Sequence, residues 1–413
     1  MKRPAIPSIE KLQQWIFLLF LFLIPISKAA IEILFWFLCV LWIIRLFRDG
    51  LRSSIWTAAQ VRPVGIALAA FFLTCAASLI TSSYLDHSIT GLICKTLQYI
   101  VFFLLAGDLV KRPGMLQRCV PVIAASASLI CLDAIAQEFI GFDPLRGHSM
   151  QYHYRMTGTF KNPNDLAIYL IAIIPILVAW ALSPKRKTNA WLRWAALGLA
   201  LGCLARTLYL IGFAATFLGF FLFGLLHPRS RKRMLPIGVV LLVIAAASMI
   251  IRGGYWTSQF SLMDPLGAPT GLQDRLWMWG AGWKMLIAHP WLGVGLNTFM
   301  ANYLAYWVGG EKMPRYTHNC YLQHAAETGI FGLAALLSLL VLMTRQWLAA
   351  LKVIRDEADH LAALGVAVGM VLIALQSAVD TTLYAVQHAT LFWTLAGGLT
   401  GFCASSLRTR RSA

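Results

Sequence analysis

"DLAIYLIAIIPILVAWALSPKRKTNAWLR", residues 165–193, decides the fold class. After Asp165 the chain runs to Leu182 without a charge. Lys185, Arg186 and Lys187 then follow at once, with Arg193 close behind. A hydrocarbon core about 30 Å thick takes about 20 apolar residues per helical span. A basic loop directly after such a run marks its cytoplasmic end. Working outward from this stretch, the same pattern recurs in both directions.

The chain has 413 residues, of which 59% are hydrophobic and 13% charged; soluble domains are about half apolar and a quarter charged. Apolar windows fall at roughly 13–27, 30–46, 63–82, 89–109, 116–139, 164–182, 190–206, 207–226, 235–251, 321–344, 361–380 and 388–406. The fold class is therefore an all-α polytopic membrane protein of about 12 transmembrane helices. Residues 1–413 read as a single integral membrane domain, with a large, partly helical loop at 252–320 between spans 9 and 10. The first apolar run lacks a small-residue cleavage site and leads straight into another, so no cleavable signal is expected.

Eight cysteines are scattered without a C-x-x-C pair, almost all inside apolar runs, and read as small packing residues. The formal charge of +18 could suggest nucleic acid, but its distribution points to membrane anchoring. With the N-terminus in the cytoplasm, 24 of the 35 basic residues fall in cytoplasmic segments, ten fall on the far side and Lys95 lies within a span. Both termini are then cytoplasmic, and the 252–320 loop faces outward.

Seven of the nine histidines lie on that outer face, including His318 and His324. Two outer segments are long, about 140–163 and 252–320, and long loops in compact proteins are usually functional or disordered. The second holds Trp277, Trp279 and Trp283 in "DRLWMWGAGWKMLIAHP", a run suited to an interfacial helix. Arg206, in "CLARTLYLIGF", reads either as a snorkelling boundary marker or as a cation awaiting an anionic headgroup. Arg275 opens the Trp-rich helix and shares a face with Trp279 and Gly282. It is either a surface arginine paired with an acid such as Asp274 or a fork for phosphate oxygens.

His318, in "YTHNCYLQHAAETGIFG" (316–332), stands at the mouth of a span beside Asn319, Tyr321 and Gln323. It is either a polar helix-start residue or a general base suited to neutral pH. Asn319 could cap the helix, and Asn164 could cap the one that follows Pro163. Asp133 and Glu138 read as boundary acids. No D-x-D pair of the kind that recruits a divalent metal to a sugar diphosphate occurs on the outer face. Two outward arginines and an outward histidine at span ends suit a lipid-linked diphosphate donor.

"TGTFKNPNDLAIYL", "ARTLYLIGF", "LQDRLWMWGAGWKMLIAHPWLGVGLNTF" and "THNCYLQHAAETGIFGL" together resemble the O-antigen ligase and polymerase superfamily of bacterial inner-membrane glycosyltransferases. The resemblance covers most of the chain and is nearest the ligases. It implies that Arg206 and Arg275 bind diphosphate and that His318 is catalytic, with Asn319 and Tyr321 as supporting residues. "CLAR" stands here in place of the family's common T-x-S-R, a departure at Arg206.

The implied activity is transfer of an O-antigen polysaccharide from an undecaprenyl-diphosphate-linked donor to lipid A–core at the periplasmic face, in lipopolysaccharide biosynthesis. It implies inversion at the anomeric centre, no cofactor and no metal. Membrane lipids are the surrounding partners, and no nucleic acid is involved. A polymerase extending the lipid-linked chain is the alternative within the family. A lipid or polysaccharide transporter is the alternative outside it. Transporters favour paired broken helices and midplane charge, whereas here only Lys95 lies well inside a span.

Overall fold

The computed structural model describes residues 9–149, 155–184, 188–251, 271–310, 312–313 and 315–412. Among them the architecture is helical: α1 (Ile9–Leu23), α2 (Lys28–Asp49), α3 (Arg62–Ala77), α4 (Leu85–Gly91), a π-helical turn (Leu92–Leu97) and α5 (Gln98–Val110). Then come α6 (Met115–Ile140), α7 (Pro163–Leu182), α8 (Ala190–Arg206), α9 (Leu210–Leu226) and α10 (Arg231–Ile251). The last four are α11 (Gly271–Ala288), α12 (Cys320–Leu351), α13 (Glu357–Gln376) and α14 (Val386–Ser412).

Seven helical stretches among the described residues are long and apolar enough to cross a membrane. The other five expected runs also fall on helices, of which α1, α8 and α9 have only 15, 17 and 17 residues. Of the expected 252–320 loop, residues 252–270 lie outside the described residues; the remainder contains α11 and a short helical turn, Phe299–Asn302.

The start of α7 follows capping chemistry. The Asn162 side chain accepts from the Asn164 amide at 2.8 Å, with Pro163 as the first helical residue. The cap of α7 is thus Asn162 rather than the expected Asn164. The proline ring's fixed φ suits the first helical position, which sets the cap one residue before it.

The interior is built around α7, which is buried over nearly its whole length and packs on α6, α8, α9 and α13. Helices in lipid gain little from the hydrophobic effect between themselves, so close backbone approach matters more. Gly365 and Gly369 of α13, four residues apart, face the carbonyls of Pro175 and Ala172 on α7; a side chain at either would strike that backbone.

α12 is broken at Gly329, whose φ of 69° and ψ of −173° are not helical. The backbone of residues 290–295 fills the break: Ile330 donates to the Pro290 carbonyl at 2.8 Å, and the Val294 amide to the Ala326 carbonyl at 2.9 Å. A Cβ at Gly329 would collide with the Trp291 carbonyl, so this position requires glycine twice over. The "HPWLGVG" and "ETGIFG" stretches are therefore two halves of one packing device, and the exposed backbone of the break is satisfied by protein.

At the far end of the bundle Asp108 of α5 is fully buried. Its carboxylate accepts from Trp42 Nε1 at 2.9 Å, Ser54 Oγ at 2.9 Å, the Ile55 amide at 2.7 Å and Lys111 Nζ at 3.1 Å, with Arg45 at 3.5 Å.

Candidate active site

Three chain segments meet at the other end: the approach to α12 with His318, the α13–α14 turn with Asp380 and the α8–α9 turn with Tyr209. His318 Nδ1 lies 3.0 Å from Asp380 Oδ1. The other carboxylate oxygen accepts from the Tyr209 hydroxyl at 3.2 Å, and the Thr381 amide donates to Oδ1 at 2.8 Å. Tyr209 in turn accepts a short hydrogen bond from Gln376 Nε2.

Burial opposes ionisation of Asp380. The hydrogen bond and charge of His318, the Thr381 amide and the Arg275 guanidinium outweigh it and hold the carboxyl below its ordinary value. Burial, reinforced by the Asp380 charge, pushes the Tyr209 phenol well up, so its hydroxyl remains a donor. An ionised carboxylate only accepts, so the His318 nitrogen that faces it, Nδ1, is the donor of this bond. The His318 side chain is 35% exposed while Asp380 is 8% exposed. The acid is sheltered, and the imidazole reaches solvent.

Of the two arginines, Arg275 is brought to this cluster: its charge is felt by both Asp380 and Tyr209. Arg206 is exposed at the end of α8 and forms a short ion pair with Glu138 of α6. Its carbonyl accepts from the Met156 amide at 3.3 Å, and Arg155 Nε donates to the neighbouring Thr207 carbonyl at 2.7 Å. The turn carrying Arg206 and Tyr209 is thus tied to residues 155–156.

Asn319 caps α12, its side chain accepting from the Leu322 amide at 3.0 Å. Tyr321 donates to the Ala374 carbonyl at 2.6 Å, so its hydroxyl is spent joining α12 to α13. α11 presents Leu272, Leu276, Trp283 and Ile287 outward on one face and buries Met278, Ala281 and Met285 against Val294 and Phe299.

Beneath His318 lies a second hub. Glu327, 1% exposed, accepts from the amides of Asn297 at 3.0 Å and Phe299 at 3.2 Å, from Gln323 Nε2 at 3.2 Å and from the Tyr384 hydroxyl at 3.1 Å. Gln323 Oε1 also receives the Thr317 amide at 3.3 Å. Glu327 therefore ties together the 297–299 turn, the backbone just before His318 and the turn after Asp380. Lys95, on the π-helical turn, donates to Asn297 Oδ1 at 2.7 Å; such turns recur at functional sites. A cavity of about 70 Å³ opens here, lined by Lys95, Asn297, Glu327, Tyr384 and His324, and has room for ordered water.

Among the described residues three non-glycines have positive φ: Leu208 at 51°, Asn297 at 61° and His318 at 51°. All three lie in these turns. Left-handed backbone at non-glycine positions costs on the order of 1–3 kcal/mol and clusters at functional sites.

The sequence alone assigned no role to Asp380, Glu327 or Tyr209. The available signal was that Glu327 and Asp380 are acids within or at the edge of apolar runs, where ionisable groups are expensive and usually have a job.

The helices and this cluster define an integral-membrane protein with a polar site at the ends of its helices. Residues 195–337 match the family model described as O-antigen ligase. The chain is also 27% identical over 243 residues to the exopolysaccharide production protein ExoQ of Rhizobium meliloti (strain 1021); the match covers 52% of this chain and 51% of that protein. The chain thus matches about half the length of this relative. Both matches support the resemblance of the chain to the O-antigen ligase superfamily. The matched region includes Arg206, Tyr209, Arg275, His318 and Glu327, and Asp380 lies beyond it.

Proposed function

We propose that the chain is an O-antigen ligase. It transfers polysaccharide from an undecaprenyl diphosphate carrier to a sugar hydroxyl of lipid A–core at the periplasmic face of the inner membrane, with twelve spans and both termini cytoplasmic. The observation that supports this most is the Asp380–His318 pair. Asp380 orients the ring and fixes the tautomer, and Nε2 takes the proton from the acceptor hydroxyl as that oxygen attacks the anomeric carbon. The bond from that carbon to the diphosphate breaks, and the electron pair leaves with the phosphate oxygen.

Charge growing on the diphosphate is met by Arg275 and, after Arg206 exchanges Glu138 for phosphate, by a second guanidinium. A single displacement inverts the anomeric centre. The arginines carry fixed charge at every physiological pH, so the reaction should survive excess EDTA. Restoration of an EDTA-abolished activity by magnesium or manganese would refute that metal independence. His318→Ala should leave bare core on a lipopolysaccharide gel, with lipid-linked polymer accumulating. A general base contributes about 10²–10⁴-fold, so near-normal laddering at normal expression would remove His318 from the mechanism.

A polymerase is the second reading, favoured by the match to a protein named for exopolysaccharide production. The acceptor would then be another lipid-linked glycan, and loss of activity would leave core carrying a single repeat.

A further inference from the structure

Far from His318, α9 and α10 diverge around an apolar groove. It has a volume of about 520 Å³ and is lined by Phe217, Phe221 and Leu225 on one side and Leu235, Val239 and Leu242 on the other. Phe221, Leu225, Leu235, Val239 and Leu242 are all exposed. α9 starts beside Tyr209 and is 17 residues long. At about 1.5 Å per residue, the Arg231 end of the groove lies roughly 25 Å from the candidate site.

The groove has one charged lining residue, Arg231. Its Nε donates to the Gly224 carbonyl at 2.9 Å in the last turn of α9, which fixes the guanidinium at the mouth. A guanidinium has five donors, so the fork retains capacity for an anion. Arg229, Lys232 and Arg233 stand beside it, all exposed. Among the described residues none of these four cations forms an ion pair with an acid.

The geometry points to a binding site for a net-anionic glycerophospholipid, with an acyl chain along the α9–α10 groove and the phosphate on Arg231. Two features favour that occupant over a zwitterionic lipid or a protein helix. A groove at bilayer depth is filled by hydrocarbon, because water there would meet no polar partners. At its mouth Arg231, with three exposed cations at neighbouring positions and no acid paired to any of them among the described residues, selects a negative headgroup, as basic pockets between membrane helices do. The lipid would complete the packing of α10 on α9.

Full-length protein in mild detergent, mixed with phosphatidylglycerol or phosphatidylcholine and examined by native mass spectrometry, tests this directly. A one-lipid adduct should form with phosphatidylglycerol and raise Tm, and phosphatidylcholine should do neither. Arg231→Gln should weaken the adduct about tenfold or more, the scale of a lost charge-assisted contact. Gly238→Leu is the companion variant: nothing lies within 4 Å of a Cβ placed there, so leucine fills the groove without a clash and should expel the lipid. Equal binding of the two lipids, or an adduct that survives both substitutions, overturns the proposal. An adduct lost in Gly238→Leu but kept in Arg231→Gln overturns the phosphate contact.

Discussion

Asp108 and Asp380 lie at opposite ends of the bundle, their side chains 0% and 8% exposed. Around Asp108, two hydrogen-bonding side chains, one amide and two cations surround the carboxylate. The charge is sealed and joins α2, α5 and residues 54–55. Asp380 is satisfied by fewer donors, and one of them is a histidine whose ring reaches solvent. The same side chain thus makes a clamp where every neighbour is a fixed donor. At Asp380 one of the donors is an imidazole that reaches solvent.

The largest expected effect tests the clamp. Asp108→Ala leaves Arg45 and Lys111 without their counter-charge, and breaking a buried pair costs about 3–5 kcal/mol. Thermal unfolding in detergent should show that loss, while surviving folded protein keeps its specific activity. Loss of turnover without loss of stability would erase the distinction between the two ends.

Asp380→Asn should do the converse. An amide no longer fixes the Nδ1–H tautomer, and turnover should fall about 10²-fold, near 2.7 kcal/mol of barrier, with little change in KM. The stability effect has a defined sign. A carboxylate whose pKa falls on folding stabilises the fold above its unfolded value of about 3.9 and loses that contribution as pH drops through the folded value. Wild type and variant should therefore converge in stability only in strong acid. A variant with unchanged turnover would make Asp380 a second clamp.

Arg275→Lys keeps the charge near Asp380 but loses the planar fork, and should cost about tenfold, near 1.4 kcal/mol. Arg206→Lys should cost the same if Arg206 leaves Glu138 to bind diphosphate. Full activity of Arg206→Ala would leave the Glu138 pair as its only role. The smallest effect belongs to Tyr321→Phe. Among the described residues its hydroxyl meets only the Ala374 carbonyl, so stability should fall by about 0.5–1.5 kcal/mol and turnover should hold. A turnover defect would return Tyr321 to the site.

By itself the sequence determined the membrane class, because runs such as 165–182 satisfy hydrocarbon residue by residue and need no partner to be recognised. It also singled out His318, Arg206 and Arg275 as candidates, since they stand out against apolar neighbours. The broken course of α12 was not legible, because Gly329 is explained only by the Trp291 carbonyl, which it meets after folding. Nor was the pairing of His318 with Asp380, 62 residues away. A carboxylate's use depends on which donors surround it, and tertiary packing alone decided that Asp108 is enclosed, that Glu327 ties three segments together and that Asp380 shares its charge with an exposed imidazole. Hydrophobic periodicity is a local property and survives in one dimension. The environment of a buried charge is made by residues from several helices and exists only once they have packed.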